Sequence, residues 1–136
     1  MKILFVCRSN VGRSQMAEIL FNKNSKNHKA ISAGTHAEKN AGKKLPELSK
    51  DITQLMKEEG YDVSNKFSKQ LTKEMVDEVD KVIMINTKEN WPDYLKNSPK
   101  VIFWDVPDPQ GTTIDFKRKI KNQIKILVEN LVKEIE

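Results

Sequence analysis

Four short apolar runs, Lys2–Val6, Ala30–Ala33, Val82–Ile85 and Val101–Trp104, limit what this 136-residue chain can fold into. Each is bounded by polar or turn residues. None alternates apolar with polar as a strand with one wet face does, so all four read as strands buried on both faces. Helical patterns fill the intervals. Ser14–Asn22 brings Met16, Ala17, Leu20 and Phe21 to one side, and Pro46–Glu59 does the same for Leu48, Ile52, Leu55 and Met56, with Gly60 as its C-terminal cap. A shorter pattern covers Thr72–Val79. Phe116, Ile120, Ile124, Leu127, Val128, Leu131 and Ile135 recur at helical spacing through a Lys/Glu-rich segment and mark a long closing helix. Strands alternating with helices build a parallel sheet covered on both faces and joined by right-handed crossovers. The expected fold is therefore an α/β three-layer sandwich on a four-stranded parallel sheet, one domain over residues 1–136.

Ligands of such sheets bind beyond the carboxyl ends of the strands. The stretch "CRSNVGRS", Cys7 to Ser14, stands there, straight after the first strand. A loop running from a strand into a helix N-terminus offers successive N–H groups and the positive end of the helix dipole to an anion. Gly12 lets the backbone approach a ligand closely, and Arg13 adds a planar fork that grips two phosphate oxygens. The field that would hold a phosphate also favours the thiolate form of Cys7, making it a nucleophile that faces phosphorus. Ser14 is placed to hydrogen-bond that sulfur, and Asn10 to tie the loop into shape. Arg8 either raises the local positive potential, favouring acidic substrates, or points to solvent. The bland reading of a lone cysteine is a small core residue ending a strand. An arginine six places on, in a chain with only three, argues against it.

Composition narrows the alternatives. Lys and Arg number 24 against 19 Asp and Glu, a net charge of +5, but the lysines are spread along the chain rather than gathered as a nucleic-acid site would have them. No window approaches the roughly 18 apolar residues of a membrane span, and the first apolar run is too short for a signal peptide. One cysteine forbids an internal disulfide, and with two histidines it makes no zinc-type cluster. These features lead us to expect a cytoplasmic monomer without membrane or nucleic-acid partners, cofactor or metal.

C-x5-R-S after the first strand resembles the phosphate-binding loop of the low-molecular-weight protein tyrosine phosphatases and of their relatives, the thioredoxin-coupled arsenate reductases. "RSQMAE" (Arg13 to Glu18) is most similar to the reductase branch, "SAGT" (Ser32 to Thr35) matches a segment common to the superfamily, and "VPDPQG" resembles its Asp-Pro loop. The resemblance implies a low-molecular-weight-phosphatase-like fold and a two-step reaction. Cys7 attacks phosphorus while Asp108 protonates the leaving alcohol or phenol, and water activated by Asp108 then hydrolyses the phosphocysteine. Arg13 and the backbone of Arg8, Ser9, Asn10, Val11, Gly12 and Arg13 would bind the phosphoryl oxygens. Asp105 is the reserve acid. The expected substrate is a phosphorylated protein or a small aryl phosphate.

The same resemblance sets two chemistries against each other. Reductase-branch enzymes use two further cysteines on a loop after the third strand, whereas this chain reads "INTKENWPDYLKNSP" there. One thiol cannot run an internal disulfide relay. A reductase using external thiols and a non-catalytic phosphate-binding module remain as alternatives. Gly12 stands where many of the phosphatases carry a second cysteine. Gln110 and Gly111 stand where aromatic residues flank the substrate ring, so Trp91, Tyr94 or Trp104 is left either to wall the site or to pack in the core. Phosphoarginine-directed members tend to carry Thr where Val11 stands, which leans this chain toward phosphotyrosine-type esters. Some reductase-branch members hold a potassium ion near the loop. Asn10, Glu18 and Ser32 match that site, but Lys69 occupies the remaining carboxylate position, and its ammonium would stand in for the ion.

Overall fold

A computed structural model describes residues 1–85 and 91–136. The strands are β1 (Lys2–Cys7), β2 (Lys29–Gly34), β3 (Lys81–Met84) and β4 (Val101–Phe103), in the order β2-β1-β3-β4 and parallel throughout. The helices are α1 (Arg13–Asn24), α2 (Leu45–Leu48), α3 (Lys50–Glu58), α4 (Lys73–Asp77), α5 (Asp93–Lys96) and α6 (Ile114–Ile135), with a short 3-10 turn at Glu38–Asn40.

The central strand shows why its sequence lacks alternation. Ile3, Phe5 and Cys7 face one buried cluster, with α1, α3 and α6, while Leu4 and Val6 face a second that includes Val76 of α4 and Leu95 of α5. Both faces are therefore dry, as the apolar run predicts. β4 departs from that expectation. It is an edge strand, and its Ile102 and Phe103 are 37% and 39% exposed.

α1 is also more enclosed than its apolar stripe suggests, since Arg13 to Phe21 are all buried. Ser14 and Gln15 turn toward the loop after β1 and Glu18 toward Ser32 of β2 and Lys66, rather than to solvent, as the hydrogen bonds described below show. The helix expected over Pro46–Glu59 is broken in two. Ser49 takes an extended conformation and its hydroxyl accepts from Ile52 N at 3.1 Å, capping α3. Such a cap is worth about 1 kcal/mol and outweighs continuation of the helix through Ser49. Gly60 follows the end of α3 with φ of +89°, the left-handed geometry that glycine supplies at helix ends. No helix among the described residues is long and apolar enough to cross a membrane.

α3 and α6 are clamped by charge. Lys117 pairs with Asp51 at 2.8 Å, Arg118 grips both oxygens of Glu58 at 3.0 and 2.8 Å, and Glu59 meets Lys121 and Lys125 at 3.0 and 2.9 Å. The Arg118 guanidinium lowers Glu58 from 4.5 to about 2, and the hydrogen bond from Lys125 lowers Glu59. A carboxyl held below its unfolded value stabilises the fold above that value and loses its contribution as pH falls through the folded one. The thermal midpoint should therefore fall as pH is lowered from 4.5 toward about 2. The Glu58→Gln/Glu59→Gln double variant should show a shallower fall when followed by circular dichroism, and equal slopes would remove the clamp from acid stability.

Candidate active site

The sheet order puts the carboxyl end of β1 between two neighbours, and the chain leaves β1 there through residues 8–12 into α1. The carbonyls of residues 7–10 and 12 are tied to the surrounding scaffold. Thr35 N donates to Cys7 O at 2.9 Å, His36 N to Arg8 O at 2.7 Å, Ser68 Oγ to Ser9 O at 3.0 Å and Gln15 Nε2 to Asn10 O at 3.2 Å. Met16 N donates to Gly12 O at 3.0 Å as α1 begins. In a trans peptide the next N–H points opposite to the carbonyl. Fixing these oxygens outward thus turns the amides of residues 8–11 and 13 to the other side, where they have no protein acceptor among the described residues. The result is a concave nest of donors. Gly12 caps α1 without a side-chain hydrogen bond, and the first turn carries no acidic residue, so the positive end of the helix stays uncompensated toward the same place.

Asn10 carries the bend, with φ of +56°, the only positive value outside glycine among the described residues. Its Oδ1 accepts from Lys69 N at 2.9 Å and from Gln15 Nε2 at 3.1 Å. Its Nδ2 donates to Ser14 Oγ at 2.7 Å and to Ser32 Oγ at 3.0 Å. Ser14 Oγ stands 2.9 Å from Cys7 Sγ. Because that hydroxyl accepts from Asn10, its proton is left for the sulfur. Ser32 in turn donates to Glu18 Oε1 at 2.9 Å. Beneath the loop, a β-carbon on Gly34 would lie 2.7 Å from Arg8 O and 2.8 Å from Asn10 N, so the glycine of "SAGT" is what lets loop and strand touch.

The nest opens into a cavity of about 230 Å³. Cys7, Arg13 and Asp108 line it together with Val11, Leu48, Ile52, Pro109 and Lys117. The Arg13 side chain is buried. Its Nη1 donates to Val106 O at 3.0 Å, and its Nη2 lies 3.7 Å from Asp108 Oδ2. Asp108 is half-exposed, and its Oδ1 accepts from Gln110 N at 3.0 Å. A thiol, a guanidinium, a ring of amides and a carboxyl group thus converge from two chain segments on a space that fits a phosphate ester. This set can bind a tetrahedral oxyanion, attack it with sulfur and exchange a proton with its leaving group.

Comparison with known proteins places this arrangement. The family model described as low molecular weight phosphotyrosine protein phosphatase matches residues 2–136. The chain belongs to that family. A low molecular weight protein tyrosine phosphatase from T. tengcongensis superposes with a TM-score of 0.84 at 28% identity, over 99% of both chains. A glutaredoxin arsenate reductase from a Synechocystis strain is 30% identical over 98% of each sequence. A protein-arginine-phosphatase from Geobacillus stearothermophilus is 28% identical over 99% of this chain and 96% of its own.

Within this family member, Cys7, Ser9, Val11, Gly12, Arg13 and Asp108 share one cavity. Asn10 and Ser14 lie buried behind them. The Arg8 side chain is exposed and not part of the lining, as is Asp105, the reserve acid. The aromatic candidates stand elsewhere. Trp104 packs on Phe5 at 5.6 Å between ring centroids, while Trp91 and Tyr94 border a separate crevice with Thr35 and His36. The apolar wall is instead Leu48 and Ile52, which helical periodicity assigned only to a core-facing stripe. Gln15, Ser68 and Lys66 were also missed. Ser68 and Lys66 act through contacts made far along the chain, while Gln15 reaches back to Asn10 five residues before it, and no local pattern marks them. At the position matched to an ion, Lys66 Nζ makes the short contact with Glu18 Oε2, 2.8 Å, while Lys69 Nζ stays 3.9 Å from Oε1. A metal cation there would meet two ammonium groups. Burial lowers the Lys69 pKa, and the Glu18 charge offsets part of that shift.

Gly34→Ala should force the loop backbone to shift and lower the thermal midpoint, by about 1–3 kcal/mol of stability. Competitive inhibition by inorganic phosphate should weaken in parallel. Unchanged phosphate binding would show that the close approach at Gly34 does not shape the nest.

Proposed function

We propose that this protein is a cysteine-dependent phosphatase that hydrolyses phosphotyrosine-type or small aryl phosphomonoesters through a phosphocysteine intermediate. The observation that carries the reading is the convergence of Cys7 Sγ, the tethered amides of residues 8–11 and 13 and the Arg13 guanidinium on one cavity, with Asp108 across it. In the first step Cys7 attacks phosphorus in line, and the equatorial oxygens lie against the amides and Arg13. Asp108, protonated, gives its proton to the departing oxygen. In the second step the Asp108 carboxylate takes a proton from water, which attacks phosphorus and releases the Cys7 thiolate. The Ser14 hydroxyl stabilises that thiolate as nucleophile and as leaving group.

The cavity supports an aryl rather than a guanidino leaving group. Leu48, Ile52, Val11 and Pro109 offer it apolar surface, and Asp108, its one carboxylate among the described residues, is already beside Arg13. Lys117 also lines it, with its charge paired to Asp51. The similarity to a glutaredoxin arsenate reductase favours one second reading, arsenate reduction with an external thiol, since the chain holds a single cysteine. Cellular context and oligomeric state follow our sequence expectation of a cytoplasmic monomer.

Hydrolysis of p-nitrophenyl phosphate, with and without vanadate, tests the reading. Cys7→Ser should abolish turnover, and Asp108→Asn should lower kcat about 100-fold, more for esters with poorer leaving groups. Phosphotyrosine peptides should be hydrolysed faster than phosphoarginine peptides. Oxyanion binding without turnover of any aryl phosphate would refute the proposal, and thiol-dependent arsenite formation in its place would establish the second reading.

A further inference from the structure

An unbroken polar chain runs from the protein surface to the sulfur of Cys7. Lys66 Nζ, partly exposed, donates to Glu18 Oε2 at 2.8 Å, and Glu18, buried, accepts from Ser32 Oγ at 2.9 Å. Asn10 Nδ2 donates to Ser32 Oγ at 3.0 Å and to Ser14 Oγ at 2.7 Å, and Ser14 Oγ meets Cys7 Sγ at 2.9 Å. The direction of each link follows from counting protons. A carboxylate beside two ammonium groups can only accept, so the single proton of Ser32 is committed to it. Ser32 must then accept from Asn10, whose two amide protons are thereby divided between the two serines. Asn10 cannot reverse its amide, because Oδ1 is held by Lys69 N and Gln15. Ser14 is left with one free proton and one neighbour to receive it, the sulfur.

We propose that Glu18 and Lys66 are positioning residues for the reaction. Lys66 keeps Glu18 an acceptor, and Glu18 holds Ser32 as an acceptor for Asn10, which anchors with a charge the chain that aims the Ser14 proton at Cys7. The proposal rests on the phosphatase reading. It concerns residues more than one shell from the phosphate, and they act on the sulfur without contacting the substrate. Hydrogen bonds in such a chain polarise one another, so the charge at the far end strengthens the last link. Without the carboxylate the Ser32 hydroxyl is free to turn, and Asn10, still oriented through its Oδ1, loses the charged end of its chain.

Steady-state kinetics on p-nitrophenyl phosphate, with inorganic phosphate as competitive inhibitor, test this on the full chain. Glu18→Gln is expected to lower kcat about tenfold, the effect of losing one charge-assisted hydrogen bond, while the phosphate inhibition constant stays within about twofold. In a Ser14→Ala background, adding Glu18→Gln should change kcat by less than about twofold, since the last link is already gone. Lys66→Met should lower kcat about threefold, and Lys66→Arg should restore it, since a guanidinium keeps the charge. Three results would overturn the proposal. One is wild-type kcat in Glu18→Gln, and another is the full tenfold further loss in the Ser14→Ala background. The third is phosphate binding that weakens in step with kcat, the mark of a collapsed loop. If Glu18→Gln fails to fold, the Lys66 variants decide alone, and wild-type kcat in Lys66→Met refutes. A wild-type chain without any aryl-phosphate turnover sinks the phosphatase reading and this inference with it, and is told apart by the parent protein's own assay.

Discussion

Asn10 holds a backbone conformation that residues with a β-carbon seldom adopt, and five hydrogen bonds to its side chain and carbonyl keep it there. A non-glycine residue in that region costs on the order of 1 kcal/mol, which a single buried hydrogen bond offsets. The surplus fixes the shape of the loop. With Asn10 bent, the carbonyls of residues 7–10 reach the segments at Thr35–His36, Ser68 and Gln15, and the amides of the loop face the cavity. Loosening that bend would release the donors to turn elsewhere. Preorganised dipoles help catalysis only while they need not reorganise during reaction.

The scaffold's rigidity is concentrated behind this loop. β1 is buried on both faces, Gly34 of β2 touches the loop backbone, and α1 starts directly beneath the nest with its first residues buried. The other wall is built differently. Asp108 and Gln110 sit in an exposed turn ahead of α6, and Leu48 and Ser49 lie at the break between α2 and α3. A fixed anion cradle therefore faces a rim assembled from turns. In the proposed reaction the phosphoryl group would lie against the cradle and the leaving group against the turns, where loops tolerate change.

Much of this was legible in the sequence, and the exceptions have identifiable causes. The β1 run and the closing helix were readable because their patterns are local: a strand dry on both faces has no polar alternation, and α6 keeps helical spacing over 22 residues. The exposure of β4 was misjudged because an apolar run such as Val101–Trp104 reads the same whether central or at an edge. The break at Ser49 escaped because serine fits both a helix interior and a cap, and the choice depends on where Leu48 must lie. Glu18 was noticed for its likeness to a family position, but its partnership with Lys66 links residues 48 apart and leaves no trace in local pattern.

The sequence by itself determined the α/β architecture, the position of the thiol at a strand end and the donors that surround it. These follow from periodicity and from the residues next to Cys7. Tertiary structure alone decided which carbonyls are tied back, which aspartate reaches Arg13 and what forms the apolar wall. Tertiary contacts also decided that Lys66 closes the polar chain behind the sulfur. Each of these depends on segments brought together by the parallel crossovers, where distance along the chain says nothing about distance in space.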